Sequence, residues 1–521
     1  MESRAGILPL NTAYNHSNSI LMHYLESLMH LTYNHPELMK YIVYLMGASS
    51  VVLLPSYFLL PAALSVPLPI AGIASIAGLS GLMFSGFNAL AQHKVIGFPI
   101  PSEDKCVYQN KKYAYREAKA TLVVNHIDLP VLYISAKNHY DAGYAEGYIL
   151  GEYIRHCLRK LNVLMRIVLY FFDVPESILE TIPKRFQEEM KGKTAGYNQW
   201  LRDHRINEEL SFKDYLMIQL LPDLTSNYLP VTKNLQSILK PLGFLGFGCT
   251  TIAVRLKKYT AFLRLLDWPS MGASNYTLQI SRNILGSKKT TDLSLPVLTG
   301  ALTVLNENAL LIEMNVSSGN KSNEINGMPA LILNRDCAER SISVDDVESF
   351  VNKNPSLVAY HLTATDGKKT KSFHLRQNKL DINKYAIETL DFSKKEPQLL
   401  VVANEGVTYE NKKIKVTNHR DSYERSQNVH QFFYKNIRKF KYFIKKQKNF
   451  NGLDGSDINS LKKLMLEIAR LKLVNNLATI LCALYIYKEN KQQRLIHASA
   501  VTDNLYAASG ELKEFKQLHR L

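Results

Sequence analysis

The stretch Gly246-Phe-Gly-Cys-Thr-Thr-Ile-Ala-Val254 sets one cysteine, Cys249, directly after a flexible Gly-Phe-Gly and directly before an apolar, β-branched run. A second apolar run, Tyr259 to Leu266, carries Arg264 and is followed by Asp267. Their composition predicts a pair of buried strands, with Arg255, Lys257 and Lys258 at the turn between them. An antiparallel hairpin brings the start of its first strand beside the end of its second. Cys249 is therefore expected next to a guanidinium and a carboxylate. Such neighbours suit nucleophilic chemistry, because a thiol attacks as its thiolate and a nearby cation favours that form. A lone cysteine at the head of a strand also serves as a small buried hydrophobe, and the residues alone leave both uses open.

Three later stretches could complete a site. Asn306-Glu-Asn-Ala-Leu310 reads as a turn, followed by a strand, Leu311-Ile-Glu-Met-Asn-Val316, that carries Asn315 near its end. Leu399 to Glu405 is another apolar strand, ending at Asn404. Asn418, in Val416-Thr-Asn-His419, is a second candidate of the same kind, but it lies among lysine-rich loop residues; Asn404 is preferred. In Asp421-Ser-Tyr-Glu-Arg-Ser426, Asp421 or Ser422 would cap a helix and Arg425 would sit one turn in. The plain use of Arg425 is an i,i+4 ion pair with Asp421. An Asn amide can donate to a developing oxyanion, and it is equally a common turn former at strand ends.

Gly248-Cys-Thr-Thr251 together with Arg264-Leu-Leu-Asp267 resembles the nucleophile segment of the N-terminal-nucleophile (Ntn) cysteine hydrolases of the isopenicillin N acyltransferase, acid ceramidase, N-acylethanolamine acid amidase and choloylglycine hydrolase type. The resemblance spans roughly Leu129 to the C-terminal region. It implies an α+β fold, a four-layer αββα sandwich, in a chain that cleaves itself just before Cys249. The freed α-amine, which titrates near pH ~8, would then be the base for its own thiol. The resemblance further implies that Asn315 and Asn404 position substrate and stabilise the oxyanion, that Asp267 holds the α-ammonium, and that Arg264 and Arg425 shape the charge around the site. No metal and no organic cofactor is expected. The chain departs from the family pattern at Leu265-Leu266, beside the Arg, and at Ala403-Asn404-Glu405.

The elements that must carry these residues divide at the cysteine. Upstream, Tyr140 to Ile154 has glycines at 143, 147 and 151, a flat helical stripe against which another backbone can pack. It also resembles the Gly-Tyr-x-x-Gly helix of the acyltransferase group. Ala120 to Val124 and Leu129 to Ile134 read as strands, and most of the rest before Cys249 reads as helix. Downstream, strands are predicted at Tyr276 to Ile280, Pro296 to Leu305, Ala309 to Val316, Leu357 to Ala364, Lys371 to Leu375 and Gln398 to Ala403. Helices are predicted at Tyr423 to Lys446 and Ile458 to Ile468, with strands again at Leu481 to Lys488 and Arg494 to Ser499. The expected division is 1–95, 96–248 as a mostly helical precursor part, and 249–521 as the catalytic part.

Tyr41 to Ala91 is nearly free of charge, far longer than the roughly 20 residues of one crossing, and Pro67-Leu-Pro69 splits it. A hairpin of two transmembrane helices is expected. Lys40 and His93-Lys94 would then lie on one side with the downstream domain, which the positive-inside rule assigns to the cytoplasm. The net charge of +17 is densest at Arg438 to Lys448; such a run can face an anionic membrane or nucleic acid, or can be a solvated helix face. With no nucleic-acid motif present, no nucleic-acid partner is expected. The five cysteines are widely spaced and suggest neither a disulfide framework nor a zinc site. The expected activity is hydrolysis or acyl transfer at an amide bond of an N-acylated lipid or other acyl amide, with both self-cleavage fragments staying associated. Its rivals are a phospholipase B-like ester hydrolase and a non-enzymatic membrane scaffold.

Overall fold

The computed structural model describes residues 108–124, 129–159, 161, 177–223, 249–257, 259–267, 276–317, 327–375, 388–389, 396–404, 406–410, 413–417, 420–449, 455–471, 479–488, 495–501 and 516–517. The chain divides into two units, Met1–Lys105 and Cys106–Leu521. The expected membrane hairpin at Tyr41 to Ala91 lies outside the described residues. Among the described residues, no helix is long and apolar enough to cross a membrane.

The second unit is a mixed α/β structure. It opens with strands β1 (Lys111–Tyr115), β2 (Ala118–Val123) and β3 (Val131–Ala136), then helices α1 (His139–Ile149), α2 (Lys184–Asp203) and α3 (Phe212–Asp223). Asn138 caps α1 by accepting from the Asp141 amide, satisfying one orphan N–H of the first turn. The predicted glycine stripe packs against a matching one on α2. A Cβ on Gly143 would fall 2.0 Å from the Glu189 carbonyl oxygen, and one on Gly147 2.1 Å from that of Lys193. In return, a Cβ on Gly192 or Gly196 would fall 2.1 Å from the carbonyl of Tyr140 or Tyr144. The two backbones touch, and nothing larger than glycine fits at these four positions.

After Cys249 come β4 (Thr250–Leu256), β5 (Tyr259–Asp267), β6 (Leu278–Ile284), β7 (Thr290–Ser294), β8 (Thr303–Asn306) and β9 (Leu311–Val316). Helices α4 (Ala330–Arg340) and α5 (Val344–Lys353) precede β10 (Tyr360–Thr365), β11 (Thr370–Leu375), β12 (Glu388–Thr389) and β13 (Gln398–Val402). A small hairpin, β14 (Gly406–Glu410) and β15 (Lys413–Thr417), leads to α6 (Arg420–Lys435), α7 (Ile437–Asn449) and α8 (Gly455–Ala469). The described chain closes with β16 (Thr479–Lys488), β17 (Leu495–Val501) and β18 (Lys516–Gln517). Three expectations are corrected. Pro296 to Leu305 is strand only from Thr303, because 295–302 turns beneath α4, where the Ala301 amide donates to the Leu331 carbonyl. The predicted helix from Tyr423 to Lys446 breaks at Asn436, whose side chain bonds back to the Phe432 carbonyl. Arg255 is not a turn residue: it lies buried in β4, donating to Thr260 Oγ1 at 3.0 Å and to the Gly367 carbonyl at 2.7 Å.

The strands form a ten-stranded sheet, ordered β1-β2-β3-β6-β7-β8-β9-β10-β11-β12, and a six-stranded sheet, β13-β4-β5-β16-β17-β18. Strands from both sides of Cys249 share the larger sheet, since β3 pairs parallel with β6. Helices α1, α4 and α5 pack on the larger sheet, and α6, α7 and α8 on the smaller. The alternation in β4 explains the second arrangement. Ile252, Val254 and Leu256 join Phe440, Phe443 and Met465 in one apolar core, each such side chain contributing about 1.5–3 kcal/mol by burial. Thr251 and Arg255 point the other way, toward the larger sheet.

Candidate active site

The β4–β5 hairpin has the expected register: Thr250 faces Leu265 and Thr251 faces Arg264. Cys249, one residue before β4, is buried at 3 % exposure, and its Sγ accepts a hydrogen bond from Arg264 Nη2 at 3.3 Å. The same guanidinium reaches across to β9 in the facing sheet. It donates to the Asn315 amide oxygen and to the Met314 carbonyl, and its Nη1 lies 3.1 Å from Glu313 Oε2. Arg264 is fully buried and therefore needs these acceptors.

Asn315 is tied from its other end. Its Nδ2 donates to the Val402 carbonyl of β13 at 3.0 Å and lies 3.2 Å from Thr251 Oγ1. Asn404, just past β13, donates through Nδ2 to the Val316 carbonyl at 2.5 Å and accepts from Arg425 Nη2 at 2.8 Å. Arg425, on the first turns of α6, also donates from Nη1 to the Cys249 carbonyl at 3.1 Å and to Thr250 Oγ1 at 2.9 Å. Arg425 is thus a buried clamp joining α6, β13 and the backbone of Cys249. One network unites Cys249, Arg264, Asn315, Asn404 and Arg425. Asp267 ends β5, and its backbone pairs with Thr479 of β16; its side chain and Asn418 lie outside the described residues.

Glu313 and Thr251 were missed by the sequence reading. Thr251 Oγ1 donates to Glu313 Oε1 at 2.6 Å, so the carboxylate is held between a hydroxyl and the Arg264 guanidinium. Burial pushes the Glu313 carboxyl above its usual range, against the pull of Arg264 and the Thr251 hydroxyl. The missing signal is the strand period. Once Asn315 is assigned to the site, Glu313 at i−2 shares its face, and Thr251 follows as the cross-strand partner of Arg264. The same face continues through His361, opposite Asn315, to His374, opposite His361. His374 Nε2 lies 2.6 Å from Ser317 Oγ. The facing wall beside Asn315 is therefore polar.

No family model matches the chain, and no curated protein does. Among solved structures, the chain is similar to the Caenorhabditis elegans ortholog of N-acylethanolamine-hydrolyzing acid amidase, at 13 % identity and TM-score 0.32, over 45 % of this chain and 92 % of that one. It is also similar to a mutant of conjugated bile acid hydrolase from Clostridium perfringens, at 11 % identity and TM-score 0.28, over 52 % of this chain and 97 % of that one. Likeness at this level leaves the functional reading to the geometry of the site.

Proposed function

We propose that this chain is a self-processing amidohydrolase or acyltransferase of the Ntn type, a four-layer αββα sandwich with Cys249 as nucleophile. The observation that carries the reading is the single buried guanidinium, Arg264, that bonds Cys249 Sγ and the Asn315 amide oxygen together. In this reading the chain cleaves after Gly248, and the freed α-amine of Cys249 takes the thiol proton. The thiolate attacks an amide carbonyl, the α-ammonium returns the proton to the leaving amine, and water or another acceptor resolves the thioester. Asp267 orients the α-ammonium.

The two asparagines are unequal in this scheme. An amide nitrogen carries two N–H groups. Asn404 spends one on the Val316 carbonyl, and its other serves the oxyanion, a donor worth about 3 kcal/mol in the transition state. Asn315, bonded on both amide atoms, fixes the guanidinium and the edge of the site. The favoured substrate is an N-acylated lipid, on the strength of the uncharged stretch Tyr41 to Ala91, which would tether the enzyme to a bilayer with this domain on the cytoplasmic side. Purified protein is to be assayed on a fatty amide and its matched ester. Amide turnover that Cys249→Ala abolishes supports the proposal; amide turnover surviving in Cys249→Ala contradicts it.

A further inference from the structure

The densest charge in the chain lies on the outer side of the helices that cover the smaller sheet. Helix α7 buries Phe440, Phe443 and Ile444 in the core and turns Arg438, Lys439, Lys441 and Lys445 outward. Two of these cations have carboxylate neighbours, Lys439 with Glu467 at 3.8 Å and Lys441 with Glu396 at 2.8 Å. Among the described residues, Arg438, Lys445 and Lys463 have no ion-pair partner. The face carries a surplus of positive charge that the described residues do not neutralise.

A plain solvated helix face would be convex and wholly polar, and this one is neither. Between α7 and α8 runs a groove of about 490 Å³ whose floor is Phe443 and Leu464 and whose rim holds three cations, Arg438, Lys439 and Lys463, beside Ser460 and one carboxylate, Glu467. Tyr442 lines it and is 54 % exposed. Cations in excess around an apolar floor, with the exposed Tyr442 among them, match an amphiphile with an anionic head. Tyrosine is favoured where one end of a side chain is apolar and the other wet, and lysines near an anionic bilayer each add about a factor of five to binding. A nucleic-acid strand would instead need a long cationic track with stacking platforms, and an apolar floor gives a phosphodiester nothing to bond.

We propose that the α7–α8 groove is a docking surface for the anionic lipid headgroups of a bilayer, separate from Cys249 and independent of its chemistry. The test uses the full-length protein in flotation with vesicles of phosphatidylcholine alone or doped with phosphatidylserine, at low and high salt. Binding is expected to rise at least tenfold with phosphatidylserine and to lose that gain at high salt. The triple variant Arg438→Glu, Lys439→Glu, Lys463→Glu should lose the phosphatidylserine gain, while its binding to neutral vesicles stays as in wild type. The three positions lie at the groove rim, so its thermal midpoint should match wild type; a Gln triple at the same positions should lose part of the gain, and it decides the matter if the Glu triple does not fold. Equal binding to both vesicle types, or an undiminished gain in the folded variants, overturns the proposal. So does displacement of phosphatidylserine vesicles by inorganic phosphate alone, which would make the groove an anion site, or tighter binding to RNA that the same variants abolish.

Discussion

At the scale of single residues, the site is built around one buried cation and its acceptors. Arg264 touches a thiol, an amide, a carbonyl and a carboxylate from one planar group, which a lysine's point charge cannot do. Arg264→Lys should therefore keep the fold, shown by a thermal midpoint near that of wild type, and lower kcat. A kcat equal to wild type would assign Arg264 to structure. Glu313→Ala leaves that guanidinium buried without its carboxylate, and losing one partner of a buried pair costs about 3–5 kcal/mol. Urea unfolding would read that loss, and a change below about 1 kcal/mol would show the pair to be energetically idle. Cys249, Asn315 and Asn404 stood out in the sequence because each lies at or near one end of an apolar run, whereas the site roles of Arg264, inside a run, and Arg425, in a polar helix start, came only from the resemblance. Glu313 was not, since a glutamate inside a strand reads as solvent-facing until a second sheet is known to cover it.

At the scale of elements, the glycine stripe of α1 was legible and its partner was not. Gly143 and Gly147 announce a close approach, but only the structure pairs them with Gly192 and Gly196 on α2. Replacing Gly147 by alanine gains helix propensity of about 1 kcal/mol and forces a methyl group to within 2.1 Å of the Lys193 carbonyl. The clash is with backbone and cannot be relieved by a rotamer change, so a net loss of about 1–3 kcal/mol is expected. A thermal midpoint equal to or above wild type would refute the contact. The hairpin of β4 and β5 was legible to within a residue at most ends, because β-branched runs and a charged turn define it. Arg255 was misread because its charge suggested a loop, whereas the Gly367 carbonyl and the Thr260 hydroxyl accept its guanidinium inside the sheet pair.

At the scale of the whole molecule, the stretches before and after Cys249 are interlocked by a buried ionic network that no local pattern foretold. Glu146, Glu189 and Lys193 come from before the cysteine; Arg282, Asp292 and Arg335 come from after it. Arg335 grips both Glu189 oxygens at 2.5 and 2.9 Å, and Arg282 Nη2 reaches Glu146 at 3.1 Å. Burial opposes the charge on Glu189, but Arg335 and His139 outweigh it and hold the carboxyl well below the usual range. A carboxylate whose folded pKa is depressed stabilises the fold above its unfolded pKa, near 4.3. That stability drains away as pH falls further. Asp223 has the opposite sign: burial pushes it up to about 7, although its Oδ1 caps α4 by accepting from the Ala330 amide at 2.9 Å. It costs stability increasingly as pH climbs from about 4 toward 7. Unfolding free energy against pH should thus be steep on the acid side, and Asp223→Asn should flatten the decline between about pH 4 and 7. An unchanged slope in the variant would show that Asp223 does not titrate there.

The same interlock bears on self-cleavage. A chain cut after Gly248 would keep the β3–β6 pairing and this network, so its two pieces should travel together in native buffer and part in denaturant. Intact-mass measurement of the purified wild-type protein, with Cys249→Ala beside it, decides whether Cys249 becomes a chain terminus. Two masses are expected for wild type, one for a fragment ending at Gly248 and one for a fragment beginning at Cys249, and a single full-length mass for the variant. A wild-type protein that stays whole while turning over an amide would contradict self-processing at Cys249, because the α-amine base would not exist.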